Sequence, residues 1–188
     1  MNLDQFKAIL GAVSQKDDII EEIKQELQEK YPDFYQEWES HNFNIDHRIR
    51  IHHDNNIVES TTLLHLAIDC ECSNIVSLLI ENGANINAVK EFEHHGQISE
   101  INFSPRPINT ISGYSLLYPA IKHCDESLVR SLIDRGADVN VRAADGWTPL
   151  HCAAAGVNEN IVSFLIQNNA NINDRVLSKR WFTGTENF

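Results

Sequence analysis

The chain has 188 residues, 42% of them hydrophobic, and carries 27 acidic against 15 basic side chains for a net charge of −12. That is the mass of one ordinary domain with enough apolar content to bury a core, which excludes two large domains, wholesale disorder and a collagen-like fibre. The acidic excess repels phosphate backbones and anionic headgroups, and so disfavours nucleic acid as a ligand.

Leu3, Phe6, Ile9, Leu10 and Val13 fall on one stripe at helical spacing, and a second helix from about Lys16 carries Ile19, Ile20, Ile23 and Leu27. Glu21, Glu22, Lys24, Glu26, Glu29 and Lys30 give that helix a charged, solvated outer face. Tyr31-Pro32 interrupts it, because proline disfavours a helical residue before itself, and Asp33 to Trp38 restarts as a turn or short helix. The opening apolar run is too short and too often interrupted for a signal peptide or a membrane span, so no membrane insertion is expected. Cys70, Cys72, Cys124 and Cys152 have no paired CxxC spacing, which fits reduced thiols acting as small buried hydrophobes in a cytoplasmic setting.

Three later segments align without a gap: TLLHLAIDCECSNIVSLLIENGANIN from Thr62, SLLYPAIKHCDESLVRSLIDRGADVN from Ser115, and TPLHCAAAGVNENIVSFLIQNNANIN from Thr148. Leu64, Leu117 and Leu150 correspond, as do Ala67, Ala120 and Ala153, and each segment closes on an asparagine: Asn87, Asn140, Asn173. Thr148-Pro149 reads as a helix start, with threonine as the cap and proline in the first helical position. Ile161, Val162, Leu165 and Ile166 have the spacing of a second helix buried between repeats. Gly83 and Gly136 can end the second helices in the left-handed conformation, and Asn169 takes that place in the third repeat.

The starts at Ser115 and Thr148 lie 33 residues apart. With that period, TPLHCAAA, NIVSFLI and NNANIN closely resemble the ankyrin signature over roughly residues 54 to 174. The resemblance implies an all-α fold, an ankyrin-repeat solenoid of helix-turn-helix repeats with β-hairpin loops. Residues 1–50 would be an N-terminal helical cap or degenerate repeat, 51–89 repeat 1, 90–109 an inserted finger loop, 110–142 repeat 2, 143–175 repeat 3 and 176–188 a tail or partial cap. The sequence departs from the family where Val157 replaces the usual glycine after a first helix, and where Tyr118 replaces the signature histidine kept at His65 and His151. Those two histidines are expected to be structural. In the tail, Trp181-Phe182 stands where Thr-Pro would open another repeat; it either folds back on repeat 3 or serves as a docking tail.

No GxSxG, HExxH, P-loop or GxGxxG motif is present, so neither enzymatic activity nor a cofactor is expected. Cys70, Cys72, His123, Cys124 and the pairs His52-His53 and His94-His95 match no zinc pattern, and no metal site is expected. The ankyrin resemblance instead implies a protein partner, bound on the concave surface by a chain that is monomeric when unbound. Aligned to the family's variable positions, the residues before each repeat start are Thr61, Tyr114 and Trp147, and the first helices contribute Asp69, Lys122 and His123. Asp145 lies at the last hairpin tip, while Phe92, Phe103 and Arg106 belong to the finger. Asn140 resembles the hairpin asparagines hydroxylated in ankyrin proteins of animal cells. Abundant Asn and Ile in an isolated array is similar to proteins that intracellular bacteria or large viruses place in host cytoplasm, which implies a host-directed effector. A self-associating structural module, or metal-dependent or enzymatic activity in the N-terminal segment or finger, are the other readings.

Overall fold

The computed structural model describes residues 3–13, 19–53, 57–94, 110–143 and 146–176. Helix α1 (Leu3–Val13) buries Phe6, Ile9, Leu10 and Val13, and α2 (Ile19–Lys30) adds Ile23 and Leu27 to the same core. The outer face of α2 carries Lys24–Glu21 and Lys30–Glu26 pairs at 2.5 Å, exposed contacts that contribute little stability. Proline starts α3 (Pro32–Ser40), where a missing N–H costs nothing, so the predicted short helix is a full one. Trp38 of α3 is buried, and its indole N–H donates to the Asn44 carbonyl at 2.8 Å.

The three repeats follow as helix pairs: α4 (Leu63–Asp69) with α5 (Ser73–Glu81), α6 (Leu117–Lys122) with α7 (Glu126–Asp134), and α8 (Pro149–Ala155) with α9 (Glu159–Gln167). The first helices α4, α6 and α8 pack one on the next, and α1 continues that row by packing on α4. Small residues Ala67, Ala120 and Ala153, all buried, allow the close approach, while Ile75, Leu79, Val129, Leu132, Ile161 and Leu165 fill the second-helix layer. Gly83, Gly136 and Asn169 end the second helices at φ of 86°, 96° and 65°, as their positions predict.

Four expectations are corrected. The fold is not all-α: strands β1 (Ile49–His52), β2 (Ile57–Thr61), β3 (Val89–His94) and β4 (Thr110–Ser115) form one antiparallel sheet in the order β1-β2-β3-β4. The described ends of the finger are therefore paired strands rather than loop, with Phe92 opposite Ile111 and Glu93 opposite Thr110, while β2 and β3 join successive hairpins edge to edge. Ser115 closes β4, and α6 begins two residues later with no side-chain cap, since this repeat lacks the Thr/His pair. Ile166 is 46% exposed rather than buried, because no further unit covers it among the described residues. Cys124 is exposed and Cys70, Cys72 and Cys152 half-buried, so the thiols line the margin of the core.

The N-terminal unit uses the same inter-repeat device as the others. Asn44, Asn85, Asp138 and Asn171 each accept, two residues on, the N–H of Asp46, Asn87, Asn140 and Asn173, at 2.8–3.0 Å. Asp46 then accepts the Asn85 N–H (2.7 Å), Asn87 that of Asp138 (2.9 Å) and Asn140 that of Asn171 (2.8 Å), so each unit is clipped to the next. Helices α1 to α3 are thus tied to repeat 1 by the same kind of bond, and they lead into the β1–β2 hairpin as repeat 1 leads into β3–β4.

Candidate protein-binding surface

Two of the three repeats orient their first helix with a threonine–histidine pair. Thr148 Oγ1 accepts the His151 N–H, the Thr148 N–H donates to His151 Nδ1 (3.3 Å), and Oγ1 and Nδ1 lie 2.8 Å apart. An accepting Nδ1 places the neutral-ring proton on Nε2. Thr62 and His65 repeat the contact at 2.8 Å inside the core. Burial, then the nearby Lys90 charge, push His65 down to a pKa of about 3 despite an opposing backbone hydrogen bond at Tyr114. His65 is therefore neutral and structural.

In repeat 2 a ring takes the place of that pair. Tyr118 is buried, and Tyr114, half-buried at the end of β4, lies against it with ring centroids 4.5 Å apart. Trp147 occupies the equivalent position in repeat 3, half-buried and 6.2 Å from the His151 ring. Thr61, at that position in repeat 1, is fully buried and offers no surface. Lys122 is exposed at the end of α6; next to it the His123 Nδ1 lies 3.1 Å from a Glu71 carboxylate, a pair that spans repeats 1 and 2.

Asp69 is placed differently from its neighbours in the alignment. Lys90 sits at the irregularity between Val89 and Glu91, where the β3–β4 register shifts. The shift turns its ammonium inward, onto Asp69 of α4 and Glu59 of β2 (2.7 Å), with Lys90 and Glu59 both buried. Burial works against the ammonium, but Asp69 and then Glu59 outweigh it and hold the lysine above its usual range. His53 Nε2 approaches Glu59 at 3.1 Å, and Arg48 bridges the Val89 carbonyl (2.8 Å), the Ser60 hydroxyl (3.1 Å) and Glu91 (3.0 Å). These charges lock the root of the finger to the first helix of repeat 1. The triad escaped sequence reading because Lys90 lies 31 residues from Glu59 and 21 from Asp69, with no local pattern joining them.

Phe92 is half-buried in β3. Phe103, Arg106 and Asp145, like Trp181, Phe182 and His95, lie outside the described residues. The Asn140 amide is engaged at both ends, donating to the Asn169 carbonyl (3.1 Å) while accepting from Asn171. Among the described residues no group of three or more His, Cys, Asp or Glu is arranged to hold a metal ion, and no helix is long and apolar enough to cross a membrane.

Stacked helix pairs clipped from one unit to the next by hairpin asparagines, with threonine-capped first helices in repeats 1 and 3, define a repeat scaffold. The family models agree: one described as ankyrin repeats (many copies) matches residues 117–166, and one described as ankyrin repeat matches residues 60–91. The chain belongs to the ankyrin-repeat proteins. It is 35% identical over 94 residues to human ankyrin repeat domain-containing protein 31, covering 48% of this chain and 5% of that one. It is 25% identical over 145 residues to the fowlpox virus ankyrin repeat protein FPV034, covering 69% and 29%. Mouse RelA-associated inhibitor shares 37% over 81 residues, covering 43% and 10%. The chain thus spans less than a third of each of these relatives.

Proposed function

We propose that this protein is a non-enzymatic module that binds a partner protein through the concave ankyrin surface, with Tyr114 and Trp147 as anchors. The observation that carries the reading is the pair of half-exposed aromatics at equivalent positions of adjacent repeats, each backed by a ring from its own first helix. An aromatic that is already ordered loses little conformational freedom on binding, and aromatic anchors ringed by polar groups dominate interface energetics. Lys122 and His123 supply that polar margin, and the finger, carrying Phe92, Phe103 and Arg106, extends it. Mouse RelA-associated inhibitor carries association with another protein in its name, and the similarity to FPV034 of fowlpox virus fits a host-directed effector acting in host cytoplasm.

The test is affinity capture from host-cell lysate with wild type and a Tyr114→Ala/Trp147→Ala variant of unchanged helicity and melting. Loss of one specific partner, by roughly 30-fold or more in affinity for a hot-spot aromatic, supports the reading. Unchanged capture would move the site off this surface.

A further inference from the structure

Between α3 and β1 the chain turns through residues 41–48, and two histidines meet there with ring centroids 4.4 Å apart. His41 is exposed, and its Nδ1 lies 2.8 Å from the Glu37 carbonyl, close enough for a ring N–H to donate to it. His47 is turned inward: its side chain is 9% exposed, and Nε2 is buried with no hydrogen-bond partner among the described residues. The Glu37 carboxylate stands 3.6 Å from that nitrogen, beyond normal hydrogen-bond reach. On the core side His47 shares a crevice with Phe6 of α1, Ile23 and Leu27 of α2, Ile49 of β1 and Leu63 of α4, all apolar. Asp46, next to it in the chain, accepts the Asn85 N–H and so clips the N-terminal unit to repeat 1.

We propose that this turn is a proton-operated latch, closed while both imidazoles are neutral and released when protons charge them. Neutral rings stack, but two imidazolium rings 4.4 Å apart repel each other beside a single carboxylate. Glu37 of α3 can offset one of those charges. The other charged groups around the turn do not offset the second: Asp46 is engaged by Asn85, Arg48 is paired with Glu91 at 3.0 Å, and Lys24 of α2, over the Phe43 ring, adds positive charge. An open turn hydrates both rings, whereas the closed one keeps the His47 Nε2 from water. Burial first, then the His41 charge, hold His47 below the ordinary histidine range in spite of Glu37. The open form therefore takes up its proton first, and the latch loosens as the pH falls below about 6.5. Opening draws Asp46 away from Asn85 and uncovers the apolar crevice, while the next clip, from Asn87 to Asp138, contains neither histidine and stays closed.

The experiment follows amide exchange of Asn85 and Asp138 in the full chain from about pH 7.5 down to about pH 5, corrected for the intrinsic pH dependence of exchange. Repeating it in low urea separates local opening, which urea leaves unchanged, from unfolding of the whole chain, which keeps the His65 response out of the comparison. Expected is a urea-independent loss of protection at Asn85 of about tenfold per pH unit below about pH 6.5, the slope for an opening that takes up one proton. Asp138 should show no such slope. His47→Gln should abolish the Asn85 response, and His41→Gln, at an exposed position where folding is not at stake, should weaken it. An Asn85 response that is missing in the wild type, follows urea, is matched at Asp138, or is the same in His41→Gln as in the wild type would overturn the proposal.

Discussion

Replacing Val157 by glycine should stabilise the protein, although the change removes a side chain. Val157 follows α8 at φ +54° and is 80% exposed, in a turn closed by its own N–H to Ala154 (3.2 Å) and the Asn158 N–H to Ala153 (3.2 Å). The left-handed conformation costs an L-residue about 1–2 kcal/mol, toward the upper value for a β-branched one. A fifth of the side chain is buried, so its loss forfeits about 0.4 kcal/mol of a full valine burial of about 2. The freer unfolded chain costs a further ~0.4–1 kcal/mol. The balance is a gain of about 0.5–1 kcal/mol, or a rise of roughly 1–3 °C in Tm for a chain of this size. Glu71 and Cys124 occupy the same turn at φ of 56° and 54° without branching at Cβ, so Glu71→Gly and Cys124→Gly should be near neutral, the former also losing the His123 pair. Urea unfolding of the three variants, with unchanged m-values, reads the difference. A destabilised Val157→Gly, or three equal effects, would refute the strain argument.

Lys90→Met should cost about 3–5 kcal/mol, since it leaves Glu59 and Asp69 without their counter-ion; apolar replacement of all three should recover most of that in the same urea titration. His65 binds its proton near pH 3 when folded and near 6.5 when unfolded, so the unfolded state protonates first and stability falls from about pH 6.5 down to 3. About 2.7 kcal/mol should be lost by pH 4.5, and His65→Gln should flatten the curve of stability against pH over that window. Asn87→Ala removes the bonds to the Gly136 carbonyl and the Asp138 N–H and should cost about 1–2 kcal/mol, while Asn173→Ala should stay within about 0.5 kcal/mol, as melting curves will register.

Whatever repeats at a fixed short distance could be read from the sequence. Thr148, Pro149 and His151 announce a capped helix within four residues, and Gly83, Gly136 and Asn169 announce helix ends by backbone preference alone. The sheet could not be read this way, because whether Val89 to His94 forms a strand depends on partners at Thr110 to Ser115, beyond a 15-residue gap. The N-terminal clip has a local signal of its own: Asn44-Ile45-Asp46 has the chemistry of Asn85-Ile86-Asn87 and Asp138-Val139-Asn140. Its distance to the next such triplet does not match the 33-residue period, so a search by period passes over it. At the proposed binding surface, position alone marks Tyr114 and Trp147, while Asp69 is equivalent in sequence to exposed neighbours and differs only through the inward turn of Lys90.

That engagement bears on how such a surface works. An inserted hairpin would ordinarily move independently of the helices beside it, and anything it touched would have to order it at an entropic cost. Here the root of the hairpin is fixed three ways: by the Lys90 ammonium on α4 and β2, by Arg48 across β2 and β3, and by the strand pairing of β3 with β2. The first helices are fixed in turn by the buried row from α1 to α8 and by the asparagine clips. Side chains at the ends of β4 and α6 therefore keep a set separation from the finger root, and a partner touching both meets groups ordered before it arrives. The buried charges serve that geometry more than stability, since an apolar cluster could supply the stability and only directed ion pairs hold Lys90 at one register.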